Sequence, residues 1–201
     1  MAILNEEDPY WAYFNSSGLM LTDSDCGGCS TGLNDFSHGS YAGTLSNIRY
    51  YIGTDTSVST ASFTSGMNLW ENGTVADFTR TYNDSIADLY FLNYPDPDDP
   101  TTRAFTAVFD ENFNNFHRSR SNNENWRYGA IYFNTRDHSD IGPDTVAHEI
   151  GHFFGLSHRI TELDSIMQKF HFNFDDQSLM NEYNYKYLSD DDLAVFHHIN
   201  D

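Results

Sequence analysis

The sequence predicts an α+β domain, and three observations lead there. Short runs of β-branched and aromatic residues bounded by turn-formers fill the middle of the chain. Segments with helical spacing lie between and after those runs. The chain has 201 residues, 39% of them hydrophobic and 16% aromatic, which suits one folded unit with a sizeable core and not a disordered chain.

Residues 1–45 are rich in Gly, Ser, Asn and Asp and read as an irregular segment, either part of the same unit or the remnant of a pro-segment. Residues 46–201 form the main domain. Asn47–Gly53 is a strand, and Ser59–Trp70 is a helix that places Ala61, Phe63, Met67 and Trp70 on one face and stops at the Asn72-Gly73 turn. Ile86–Asn93, Arg103–Phe109 and Gly129–Asn134 are three further strand candidates, with Ala76–Tyr82 as one more. The three prolines of Pro95–Pro100 remove backbone donors and fix φ, so that stretch is a surface loop. A helix is expected from Pro143 or Asp144 to about Gly155. Another should start at Ser189, with Asp190, Asp191 and Asp192 at the positive end of its dipole.

A net charge of −20 argues against nucleic acid or an anionic membrane surface as partner, since both would repel the chain. Lys169 and Lys186 are the only lysines. Asp96, Asp98 and Asp99, or Asp23, Asp25 and Asp35, offer clustered hard oxygens for calcium, with plain solvated loops as the competing account. No apolar run is long enough to span a bilayer. The opening residues lack a basic stretch followed by an apolar one, so no leader is read there. The expectation is a monomer, secreted, with its leader absent from this chain.

Chemistry concentrates between Thr145 and His158. On a helix His148 and His152 stand at i and i+4, so both imidazoles leave the same face and can share one metal ion. Glu149 sits roughly 100° round from His148, poorly placed as a third ligand but able to reach a water on the metal. His158 would lie about 120° off and about 9 Å further along if the helix continued. Gly155 resolves this, because glycine can take the left-handed conformation that ends a helix and turns the chain back. Three neutral histidines leave a fourth tetrahedral position for water, the arrangement of a catalytic zinc and not a structural one. A lone histidine would be read as an ordinary helix residue. A chance match to all five positions of His-Glu-x-x-His-x-x-Gly-x-x-His is on the order of one in ten thousand for a chain this long.

His148-Glu149-x-x-His152-x-x-Gly155-x-x-His158, followed by Ser165-Ile166-Met167, resembles the metzincin metallopeptidases, whose methionine turn passes beneath the zinc. Met167 lies nine residues after His158, and Leu188–Phe196 resembles the start of a matrixin C-terminal helix, so the likeness is to the matrixin branch. The resemblance implies a zincin-like α+β fold for residues 46–201: a mixed, mainly parallel five-stranded sheet, an active-site helix and a C-terminal helix. It also implies that Arg103–Phe109 is the cleft-facing edge strand and that Gln168–Asp176 walls the pocket beside the scissile bond. Lys169 stands where astacin-like and serralysin-like members have a tyrosine, so no tyrosine ligand is expected. The positions that hold a second zinc in vertebrate matrixins are not evident, leaving His117 and His138 unassigned.

Cys26 and Cys29 leave four readings open: a local disulfide, half of a metal site, a redox pair, or a thiol that blocks the zinc as in matrixin precursors. The disulfide is favoured.

The expected function is a zinc-dependent metalloendopeptidase acting on protein or peptide substrates. One catalytic zinc activates a water and Glu149 is the general base. The alternative is a zinc-bound adhesion or binding module that has lost catalysis.

Overall fold

The computed structural model describes the backbone of residues 2–5 and 8–13, and the residues 40–93, 103–113, 125–135, 139, 141–156, 188, 192, 193, 196, 197 and 200. Ahead of the main domain, within the span read as irregular, Ala2–Asn5 (β1) pairs antiparallel with Asp8–Tyr13 (β2).

The main sheet has five strands: Ile48–Ile52 (β3), Phe78–Arg80 (β4), Leu89–Asn93 (β5), Ala104–Phe109 (β6) and Tyr128–Phe133 (β7). Their order is β4-β3-β5-β7-β6. All neighbours run parallel except β6, which returns antiparallel along β7 with Thr106 opposite Ile131. The α+β, mainly parallel five-stranded architecture is thus the one expected, and Arg103–Phe109 does supply an edge strand. β5 begins later than the sequence suggests. Asn83 caps a 3₁₀ turn over Asp84–Ile86, its side chain accepting from the Ser85 amide at 3.1 Å, so the extended run starts only at Leu89.

Thr60–Gly73 (α1) connects β3 to β4. Ser59 caps it, accepting from the Ser62 amide at 3.0 Å. Its buried face is Phe63, Gly66, Met67 and Trp70. Ala61, assigned to that face from the sequence, is exposed, because two residues before Phe63 it lies about 200° round the helix. Phe63 packs on Phe91 of β5 and Phe133 of β7, with ring centroids 4.8 and 5.7 Å apart.

Pro143–Phe153 (α2) packs beside α1. Proline at its first turn lacks an amide that would be unpaired there anyway. The two helices meet at Gly66, where a Cβ would come within 2.7 Å of the Val146 side chain. One turn on, the Trp70 indole donates to the Ala147 carbonyl at 2.8 Å. On the sheet side, a Cβ at Gly129 would lie 2.3 Å from the Phe153 ring, so the bare backbone of β7 lets that ring seat. Close approach at both glycines fixes the height and rotation of α2 over the sheet.

At the entry end of the parallel strands a buried carboxylate joins three of them. Asp88, 1% exposed, precedes β5 and receives Arg49 of β3 through its backbone amide (3.0 Å), Nε (3.0 Å) and Nη2 (3.2 Å). Arg127, ahead of β7, reaches the same carboxylate at 2.7 Å and donates to the Tyr41 hydroxyl at 2.9 Å. Tyr41 in turn packs its ring 4.7 Å from Phe153. Burial alone would raise the Asp88 pKa, but hydrogen bonds from Arg49 and the charges of both guanidiniums outweigh it and hold the carboxyl below its ordinary value. Tyr41, buried beside Asp88, is pushed up to about 12 and keeps its proton.

A depressed aspartate adds stability that is complete above the unfolded pKa of about 3.9 and is lost as pH falls through the native value. The arginines are about one-third exposed. Solvent therefore brings the cost of breaking the cluster below the 3–5 kcal/mol of a fully buried pair. Asp88→Asn is expected to lose about 1–2 kcal/mol at neutral pH, with the gap from wild type closing below about pH 4. Chemical denaturation at a series of pH values checks both the size and the closure.

The predicted C-terminal helix is represented by Asp192, Leu193, Phe196, His197 and Asn200, all helical. Phe196 is fully buried against Trp70 and Phe154, at 5.8 and 4.9 Å. Asp192, read as a charge at the helix start, is itself fully buried. Among the described residues no helix is long and apolar enough to cross a membrane.

Candidate metal centre

The first turns of α2 face the core on most sides, with Val146, Ala147 and Ile150 fully buried. His148, Glu149 and His152 are buried as well, at most 5% exposed. Three such groups are rarely hidden together unless something pairs with them. They converge as the spacing predicts. The two imidazoles stand 4.7 Å apart at 87° to each other, and one donor atom from each of the three residues lies within 4.8 Å of the others. Two imidazoles and a carboxylate, buried with their ligand atoms this close, match the donor chemistry of zinc.

The helix C-terminus supplies the next layer of the site. Gly155 has φ of 104°, in the region that side chains disfavour. Its amide donates to the His152 carbonyl at 3.1 Å, and the Leu156 amide reaches back to the Gly151 carbonyl at 3.0 Å. This is the paired bonding of a Schellman cap. The turn brings the Leu156 carbonyl against the His152 ring, 2.6 Å from Nδ1. A carbonyl can only accept, so Nδ1 carries the proton and Nε2 presents its lone pair, the tautomer a metal ligand needs.

The other terminal carbonyls are also satisfied. Trp126 Nε1 donates to the Phe153 carbonyl at 2.9 Å, and Asn200 Nδ2 to that of Phe154 at 3.3 Å. The end of α2 is therefore tied to the Tyr41–Trp126 bridge on one side and to the C-terminal helix on the other.

Glu149 is held from the sheet. The Thr106 hydroxyl on β6 lies 2.7 Å from Glu149 Oε2 and 2.9 Å from the Glu149 carbonyl oxygen. Nothing in the sequence marked Thr106, since a threonine is an ordinary resident of a strand.

The structure brings His148, Glu149 and His152 together, and Gly155 ends the helix that carries them. His158, Met167, Cys26 and Cys29 lie outside the described residues, as do His117, His138, the segment Gln168–Asp176 and the aspartates considered for calcium.

The family model for metallopeptidase family M12B, reprolysin-like, matches residues 47–159, more than half of the chain. The chain belongs to that family. As a reprolysin-like metallopeptidase it is a metzincin-type, zinc-dependent peptidase with a catalytic zinc and protein or peptide substrates. The matched span includes His148 through His158 and ends before Met167 and Leu188–Phe196, the two features that resemble matrixins. No curated protein matches this reprolysin-like chain.

Proposed function

We propose that this reprolysin-like protein is an endopeptidase in which His148, His152 and His158 hold the zinc and Glu149 is the general base. The observation that carries the reading is the convergence of His148, Glu149 and His152 in one buried site, with the His152 tautomer set by Leu156. Zinc, when bound, polarises the scissile carbonyl and makes water acidic enough to give up a proton near neutral pH.

Glu149 takes that proton and delivers it to the leaving amine, without leaving the site. β6 receives the substrate: it is the last strand in the order of the five-stranded sheet and the one that runs antiparallel to its neighbour, the place where an extended peptide adds as a further strand. Gly155 ends α2 in a left-handed turn, which would let His158 complete the ligand set, and the family resemblance assigns Met167 to the turn under the zinc. Beyond residue 159 the likeness is to matrixins, while the matched span is reprolysin-like. The catalytic roles are common to both assignments.

The test is a cleavage-site profile on a denatured proteome. Internal cleavage that stops with a zinc chelator and returns with added zinc is the expected result. Intact substrates with the protein fully zinc-loaded would favour the binding-module alternative instead.

A further inference from the structure

We propose that Thr106 is a positioning residue for the general base, fastening Glu149 to the strand that receives the substrate. The inference rests on the peptidase reading above. Thr106 sits in the middle of β6, 6% exposed, with its side chain toward α2. Its Oγ1 is 2.7 Å from Glu149 Oε2, the short distance of a hydroxyl donating to a carboxylate. The same oxygen is 2.9 Å from the Glu149 main-chain carbonyl. A hydroxyl has one proton to share between these acceptors, and the charged oxygen is the nearer and stronger of the two.

The consequence is geometric. A glutamate side chain has three rotatable bonds, and its carboxylate can swing by more than an ångström while its backbone stays fixed. Pinning Oε2 to β6 limits that swing and holds the carboxylate in register with the strand. Because the peptide backbone adds to β6, base and scissile bond are then referenced to the same element. Misplacement of a reacting group by about 1 Å can cost on the order of 100-fold in rate, so one hydrogen bond of this kind is large enough to see.

The experiment uses the zinc-loaded protein with Thr106→Val, which keeps the shape and removes the hydroxyl, and Thr106→Ser, which keeps the hydroxyl. The expected result for the valine variant is a fall in kcat of about 10- to 100-fold, with KM within about twofold and zinc content unchanged. Serine should restore kcat to within about threefold. Unchanged kcat in the valine variant overturns the proposal. So does a loss shared between kcat and KM that serine fails to rescue, since that is the mark of a threonine that merely packs.

A double-mutant cycle by thermal unfolding of Thr106→Val and Glu149→Ala gives a reading independent of turnover. Shifts that are not additive support the hydrogen bond, and strictly additive ones overturn it. If the wild-type protein cleaves nothing, the peptidase reading fails, and the cycle still decides whether Thr106 holds Glu149.

Discussion

Glu149→Ala is expected to lower kcat/KM for a peptide substrate by about 10²–10⁴-fold while the protein keeps its zinc. Two features of the site set this expectation. The carboxylate lies among the metal-facing donor atoms, yet it is anchored to β6 through Thr106. Removing it deletes the proton acceptor without touching either imidazole, and the His152–Leu156 hydrogen bond that fixes the ligand tautomer remains. Zinc content by atomic absorption and kcat/KM on the same preparation check the two halves. Full activity would remove Glu149 from the mechanism. Lost zinc would make it a ligand and not a base.

The metal half of this site was legible because helix geometry is nearly invariant. Once Pro143–Phe153 is a helix, residues four apart must share a face, and His148 and His152 converge whatever surrounds them. Gly155 was legible for the same local reason: its φ of 104° is one that glycine tolerates and other residues rarely adopt. The strands were found from their β-branched and aromatic runs, and their parallel order came from the family resemblance.

What could not be read is what depends on partners far apart in sequence. Thr106 and Glu149 are 43 residues apart, and Arg49 and Asp88 are 39 apart. No local pattern distinguishes a strand threonine that faces a catalytic carboxylate from one that faces solvent. Asp88 was lost inside a presumed strand, although a lone aspartate between Ala87 and Leu89, both buried, is a signal that it needs a paired cation. Gly66 carried a comparable signal, since a glycine inside a helical pattern costs stability and so marks a close approach. The buried face of α1 includes Gly66 and not Ala61, which the apolar spacing alone would place there.

Gly155→Val tests how far the metal site depends on the turn that ends α2. A β-branched residue at a φ of 104° is strongly disfavoured, and a strained position of this kind costs about 1–3 kcal/mol. That part of the effect is measured in the chelated protein, where chemical denaturation reports the fold alone. The second part concerns zinc. If the turn relaxes to relieve the strain, the Leu156 carbonyl moves off His152 Nδ1, and the ring loses the partner that fixes its orientation and tautomer. Loss of such a partner is worth about 10- to 100-fold in metal affinity, and His158 stands three residues beyond the altered turn. Zinc affinity by competition with a calibrated chelator should therefore fall by at least that factor. A variant that is destabilised but binds zinc as wild type does would separate the two roles, leaving Gly155 necessary for ending the helix and not for building the site.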